Sequence, residues 1–365
     1  MNSASLGAIR ADVSEQVRRE LDGASWIANL PGDGEPFAEM LAPALSLMES
    51  GKRTRAALLA AAYLATGAAD LTPATTAGAA LELYQASALV HDDLIDHSPT
   101  RRGRPAAHLA LAVAHQSQRR PGDPHEFGSA GAILLGDLLL SLSMEVCARA
   151  CEQASLTLGH PTGDALLEFT RMTSEVAFGQ FLDVRAEHMP PRSDAITGAL
   201  SVITHKSARY SVVCPLAIGS HLGGGSPELR SALEAIGKPL GEAFQLRDDD
   251  LGIFGDAGVT GKPQCGDIAE GKRTVLLALT LESASDRDAS WLVSRLGGEL
   301  GPDDPGRIQD IVEASGARRR HEQFIAEREN SALAAWHDLS SSHLAAQPGL
   351  DLLAELLAEL SARQH

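Results

Sequence analysis

An all-α fold is what the composition predicts. Alanine and leucine dominate and only 4% of residues are aromatic, which favours helix over sheet. Glycine and proline cluster at 31–36, 121–128, 159–163, 188–194, 222–227, 255–266 and 301–306. The segments between them run roughly 15–30 residues and are rich in Ala, Leu and Glu. Alternating runs of Val, Ile and Thr are scarce. A bundle of about ten or more helices is expected. No Ser/Pro/Gly-rich linker and no internal repeat interrupts the chain, so residues 1–365 read as one domain.

The first 23 residues lack an apolar signal core, and their charges suit an amphipathic helix. Gly51-Lys52-Arg53-Thr54-Arg55 begins another helix. Residues 73–97 and 128–155 are apolar around most of their circumference, as in helices surrounded by helices. Arg101, Arg102 and Arg104 follow the first of these in a Pro/Gly-bounded loop, and a further apolar helix closes at Gly252.

Forty-eight acidic against 31 basic side chains leave a net charge of −17, which disfavours nucleic acid and anionic membrane as partners. An acidic ligand would need a locally basic pocket or bridging cations. The run around AILLGDLLLSLS is interrupted by Asp137, so no apolar run is expected to reach membrane-spanning length. No membrane insertion and a cytoplasmic location are therefore expected. Cys147, Cys151, Cys214 and Cys265 match no paired zinc spacing, and Cys147 and Cys151, one helical turn apart, read as buried small residues rather than a redox couple.

Two aspartate clusters carry the chemistry. In Leu81–Asp96, Asp92 and Asp96 are spaced i,i+4 and share a helix face with Ala88 and Gln85 below them. Like charges at that spacing cost a helix a few tenths of a kcal/mol unless a cation joins them. A divalent ion would do so; a solvated acidic helix end is the plainer alternative, and this segment alone leaves both open. The second cluster, Asp248-Asp249-Asp250, also closes an apolar helix, and two such ends shift the balance toward metal.

Basic residues concentrate beside glycines and helix starts, where phosphate oxygens are bound: Lys52 to Arg55, the 101–104 loop, Lys206, Lys262, and Gly271-Lys272-Arg273-Thr274. Surface solvation would account for any one of them. Gly266 to Lys272 nearly matches a nucleotide-binding phosphate loop, but Arg273 stands where the magnesium-binding Ser/Thr belongs.

GKRTR, HDDLID followed by RRGRP, GDLLLS, HKS, FQLRDD, and TGKP followed by GKRT occur in this order between Gly51 and Thr274. In this order they resemble the trans-isoprenyl diphosphate synthases, or polyprenyl synthetases. The resemblance implies antiparallel helices around a deep central cavity, commonly as a homodimer. It also implies head-to-tail condensation of isopentenyl diphosphate with an allylic diphosphate. By position, Asp92, Asp96 and Asp248 would bind Mg²⁺, three ions with substrate present, supported by Asp93 and Asp249. Arg101, Lys206, Lys262 and Lys272 would hold the allylic diphosphate, with Ser207 and Gln245 nearby. Gly51, Lys52, Arg55, Gln85 and Arg102 would hold isopentenyl diphosphate.

Three positions depart from the family pattern: Gly252 replaces the last aspartate of the second cluster, Gln85 a common His, and Ser207 a commoner Thr. Asp250 or Asp256 is a candidate to compensate for Gly252. Tyr84, Ser87 and Ala88 are the candidates to set chain length, although an ideal helix rotates Tyr84 off the Asp92 axis and packing between helices is the plainer alternative for it. Ser87 and Ala88 are small, which points to products beyond C15, with C20 to C25 favoured. Two other readings remain: a non-catalytic subunit of a hetero-oligomeric prenyltransferase, and a class I terpene cyclase. The first commonly loses aspartate or basic residues that this chain keeps. The second normally carries a later Asn/Asp–Ser–Glu magnesium triad, which is not found here.

Overall fold

The structure is a computed structural model and describes residues 5–190, 195–255 and 264–361. Its helices are α1 (Leu6–Gly23), α2 (Gly34–Met48), α3 (Thr54–Ala65), α4 (Thr72–Ile95), α5 (Ala107–Ser117), α6 (Pro124–Leu158), α7 (Gly163–Glu187), α8 (Ala195–Val202), α9 (Cys214–Leu222) and α10 (Pro227–Phe254). They continue as α11 (Gly266–Glu270), α12 (Val275–Ser283), α13 (Asp286–Val293), α14 (Asp304–Ala314), α15 (Ala317–Ser340) and α16 (Gln347–Ser361). A π-helical stretch, Ile203–Val213, separates α8 from α9. The only strands among the described residues are β1 (Thr100–Arg101) and β2 (Arg104–Pro105), which pair antiparallel.

Two compact units are present, each built from discontinuous segments. The first comprises Met1–Phe169, Ile218–Gly225 and Ala346–Leu353; the second comprises Thr170–Ala217, Ser226–Ala345 and Ala354–His365.

In the first unit α4 packs against α6, α3 and α1, and α5 packs on α6. Pro73 starts α4, where its missing N–H costs nothing, and an almost unbroken run of small and apolar residues from Ala74 to Leu83 is buried. Such all-round burial leaves the helix few exposed positions before its acidic end. α6 is capped by the Asp123 side chain and stopped by Gly159 in the left-handed region. Contrary to the sequence expectation, α6 is long and apolar enough to cross a membrane on length and composition. Part of that apolar surface, Ala132, Leu135, Leu139, Leu142 and Val146, is core of this unit. All four cysteines are free and buried. The hydrogen bond with the Cys151 thiol, and then burial, hold Cys147 well above the usual thiol range, as expected of a packed pair.

In the second unit α10 packs against α15 and the π-helical stretch around a core that includes Leu246, Ile253, Ile268, Leu276 and Ile325. Ser226 caps α10, accepting from the Leu229 N–H at 3.2 Å. His321 of α15 is fully buried, and neither ring nitrogen makes a hydrogen bond. Burial lowers its pKa from 6.5 to about 4, with Glu322 opposing and Arg247, Arg318 and Arg328 adding to the fall.

A neutral buried His321 makes stability depend on pH. The unfolded chain takes up the proton below pH 6.5 while the folded chain refuses it until about 4, so stability falls as pH drops through that window. The full effect is at most about 3 kcal/mol. Denaturant melts between pH 7 and 4.5 should show a shallower acid loss for His321→Phe than for the native chain. Parallel slopes would assign the acid sensitivity to other groups.

Candidate active site

The first aspartate cluster ends α4. Asp92 and Asp96 are half-buried and Asp93 is buried. Helix carbonyls already concentrate negative charge at this end, so three carboxylates there are unfavourable without cations. One cation is built in: Arg101 donates from Nε to Asp93 Oδ1 at 2.8 Å and lies 3.5 Å from Asp92 Oδ2. Asp93 is nevertheless pushed above the ordinary carboxylate value by burial, with Asp92 and Asp96 adding to the rise and Arg101 opposing it.

Arg101 is delivered by a hairpin that the sequence reading treated as a loop. Thr100 pairs with Pro105 and Arg101 with Arg104, which leaves Arg102 and Gly103 as a two-residue turn with φ of 53° and 73°. Arg102 reaches the end of α2, donating from Nη1 to the Leu47 carbonyl at 2.8 Å and to the Ser50 carbonyl. Arg104 donates to Ser46 Oγ at 2.6 Å and pairs with Glu49 at 2.6 Å. The hairpin thus holds Arg101 against the aspartates and Arg102 beside Gly51. Lys52 is exposed and Arg55 half-buried on either side of buried Arg53.

Along α4 the half-exposed face through Asp92 carries Leu89, Ala88 and Gln85. Two of the chain-length candidates lie elsewhere. Tyr84 is buried edge-to-face against Phe169, with centroids 6.2 Å apart, and the buried Ser87 hydroxyl donates to the Gly136 carbonyl at 2.7 Å. Only Ala88 stays on the open face.

In the second unit Asp249 is buried and accepts from Gln245 Nε2 at 3.0 Å, while Asp248 is half-exposed beside it. Burial first, then the carboxylates of Asp267, Asp248 and Asp183, hold Asp249 well above its usual pKa, with Gln245 opposing. The π-helical stretch presents Lys206, whose Nζ donates to Asp183 Oδ2 at 2.6 Å, with Ser207 half-buried next to it. Lys272 pairs with Glu270 at the end of α11. Lys262 lies outside the described residues.

Asp183 and Asp267 were not anticipated. A sequence signal for the first existed in Gly179, four residues before Asp183 on α7. A Cβ there would sit 2.4 Å from the Lys206 backbone nitrogen, so the glycine admits the π-helical segment to α7. Asp267 answers the question raised by Gly252. Of the two compensating residues expected, Asp256 lies outside the described residues. Asp250 is taken by the Arg318 guanidinium at 3.1 and 3.2 Å. Instead, the Asp267 carboxylate fills the space of the missing side chain: a Cβ on Gly252 would lie 2.2 Å from Asp267 Oδ2.

In each unit the carboxylates fit magnesium: burial first, and then the neighbouring carboxylates, raise the pKa of Asp93 in the first unit and of Asp249 in the second, which a divalent cation would relieve. Among the described residues no three His, Cys, Asp or Glu side chains form a ready-made metal cage.

The Gly252–Asp267 contact makes a restoring substitution harmful. Gly252→Asp should lower the melting temperature, because the new Cβ collides with a carboxylate and adds a second charge. Combined with Asp267→Ala, the same substitution should be tolerated. Thermal melts of the two single variants and the double would show it; additive losses would mean the two positions do not compete for one space.

Residues 38–314 match the family described as polyprenyl synthetase. A short chain isoprenyl diphosphate synthase of Methanothermobacter thermautotrophicus is 33% identical over 249 residues, covering 68% of each chain. A geranylgeranyl diphosphate synthase of Mycobacterium tuberculosis is 31% identical over 310 residues, covering 84% of this chain and 79% of that one. Among solved structures, a geranylgeranyl pyrophosphate synthase of Corynebacterium glutamicum, complexed with isoprenyl diphosphate and magnesium, matches with a TM-score of 0.88 at 35% identity. That match covers 99% of this chain and 100% of the other. With the family's motifs matched over most of its length, and an all-α fold shared with these enzymes, the chain belongs to the polyprenyl synthetase family of trans-prenyltransferases.

Proposed function

We propose that this chain condenses isopentenyl diphosphate head-to-tail with an allylic diphosphate, giving a trans-polyprenyl diphosphate longer than C15, with C20 to C25 favoured. The carrying observation is the pairing in the first unit of an acidic helix end with a basic hairpin. Arg101 docks on Asp93 while Arg102 sits over Gly51, next to Lys52 and Arg55. Carboxylates to share cations with one diphosphate thus adjoin guanidinium and ammonium groups for another.

Asp92 and Asp96, with Asp248, would hold magnesium, taken as three ions when substrate is bound. Bound magnesium neutralises the charge collecting on the departing diphosphate. Arg101 and Lys206 supply fixed positive charge at that leaving group, Lys262 and Lys272 are assigned to it as well, and Asp183 keeps the Lys206 ammonium in place. Lys52, Arg55 and Arg102, with Gln85, hold the second substrate so that its double bond faces the allylic carbon. The allylic C–O bond breaks with its electron pair going to the diphosphate. The π pair of the homoallylic double bond then forms the new C–C bond, and the resulting cation loses a proton to the released diphosphate. No side-chain nucleophile is needed.

The same reading makes the protein a cytoplasmic homodimer without membrane insertion. Exposed Phe127, Ile133 and Leu134 on α6, with Val113 on α5, support a second copy as the cover for the apolar surface. Exposed Asp137, Glu145 and Arg149 on the same helix are poorly suited to lipid. Free cysteines suit a reducing compartment.

Purified enzyme given magnesium and both diphosphates should turn over, and chelating the divalent metal should abolish it. Asp92→Ala should cost several orders of magnitude in kcat. Asp250→Ala should be far milder than Asp248→Ala, because Arg318 already occupies the Asp250 carboxylate. Equal losses would place the metal ligand elsewhere in the Asp248–Asp250 run. Full turnover without metal would overturn the proposal.

Chain length is a separate test. Ala88 is the small residue on the open face one turn below Asp92, so Ala88→Phe should shorten the product. Product chromatography showing only C15 from the native enzyme, or an unchanged distribution in the variant, would move the stopping point off this face.

A further inference from the structure

Arg53 is the one basic residue of the GKRTR segment that the substrate assignment leaves unused. It is also the most enclosed, with its side chain 5% exposed and its backbone in the left-handed region at φ 48°. Nη1 donates to Glu82 Oε2 at 3.0 Å, Nε donates to Ser14 Oγ at 3.1 Å, and Nη2 donates to the Met48 carbonyl. One guanidinium therefore ties the start of α3 to α1, α2 and α4. Its partner Glu82 is equally enclosed at 4%, and Glu82 Oε1 accepts no hydrogen bond.

A buried ion pair of this kind is seldom worth its desolvation as a source of stability, since apolar residues of similar volume do as well. Its geometry points to another use. Gly51 has φ 139°, and a Cβ there would lie 3.1 Å from both Arg53 Nη1 and Arg102 Nη1. Two guanidiniums converge on this one backbone position, with Arg55 and Arg101 close enough to add repulsion. Partial burial lowers the Arg102 pKa; Glu82 opposes that fall, while Arg53, Arg101 and Arg55 deepen it. Glu82 is thus a counter-charge set beneath a cluster of cations. It lies ten residues, about 15 Å of helix, from Asp92, far enough to leave the aspartate end to other ions.

We propose that Arg53 and Glu82 form a positioning pair for the isopentenyl diphosphate site. The pair pins the backbone from Gly51 to Arg53, whose two end residues have positive φ, and lets Arg102 rest beside Gly51 despite like charge. Neither residue touches the diphosphate. The pair makes the cationic site ready before substrate arrives, so that binding spends nothing on ordering it. This rests on the condensation proposed above.

Glu82→Gln keeps shape and removes charge. It should raise the KM for isopentenyl diphosphate roughly ten-fold or more, with kcat and the allylic KM within about two-fold of native. Calorimetric Kd for isopentenyl diphosphate should rise in parallel. The double variant Arg53→Met/Glu82→Leu fills the space with apolar atoms, and should melt at or above either single variant while its Kd remains raised. A melting-temperature loss in Glu82→Gln with unchanged Kd, or native Kd in the double variant, would show a purely structural pair and overturn the inference. Native protein that binds isopentenyl diphosphate but never condenses it would defeat the proposed reaction and leave the positioning role standing on Kd. Native protein that does not bind it would overturn both.

Discussion

Negative charge toward the C-terminal ends of buried helices is the constraint that shapes each of the two units. The helix macrodipole already places partial negative charge at the ends of α4 and α10, and the chain adds Asp92, Asp93 and Asp96 to one and Asp248 to Asp250 to the other. Burial first, and then the neighbouring carboxylates, oppose the ionised form of Asp93 and of Asp249. Such ends persist because cations meet them. Arg101 meets Asp93 and lies 3.5 Å from Asp92, and Arg318 meets Asp250.

The basic residues divide by what they are bound to. Arg53, Arg104, Arg318 and Arg247 are engaged by protein groups: Arg53 by Glu82, Arg104 by Glu49 and Ser46, Arg318 by Asp250 and Glu313, and Arg247 by Glu322 and Glu329. Arg101 pairs with Asp93 and Asp92, and Lys206 with Asp183, acids that belong to the clusters. A net charge of −17 is compatible with an anionic substrate because the cations are gathered at these few positions.

Close backbone approaches decide where the side chains end. Gly179 lets the π-helical stretch come against α7 and brings Lys206 to Asp183. Gly252 opens space on α10 that the Asp267 carboxylate enters from α11. A residue that looks like a loss in the linear motif is, in three dimensions, the opening for a carboxylate from elsewhere in the chain.

The helical class, the aspartate pair at i,i+4 and the order of the basic motifs were determined by the sequence, because each depends on residue type and spacing along one element. Helix periodicity alone places Gln85 and Ala88 on the face of Asp92, and the structure keeps them half-exposed there. What tertiary structure decided was every pairing between elements. Tyr84 lies only one residue before Gln85, yet the position of Phe169 turns it into the core. Asp250 reads like its neighbours in the Asp run until Arg318, 68 residues later, claims it. The hairpin that aims Arg101, the Arg53–Glu82 contact and the Asp267 carboxylate behind Gly252 likewise join residues whose spacing carries no periodic signal. Local propensity and pattern act over a few residues of one helix, whereas these contacts arise only when packing brings separate segments within hydrogen-bond or van der Waals reach.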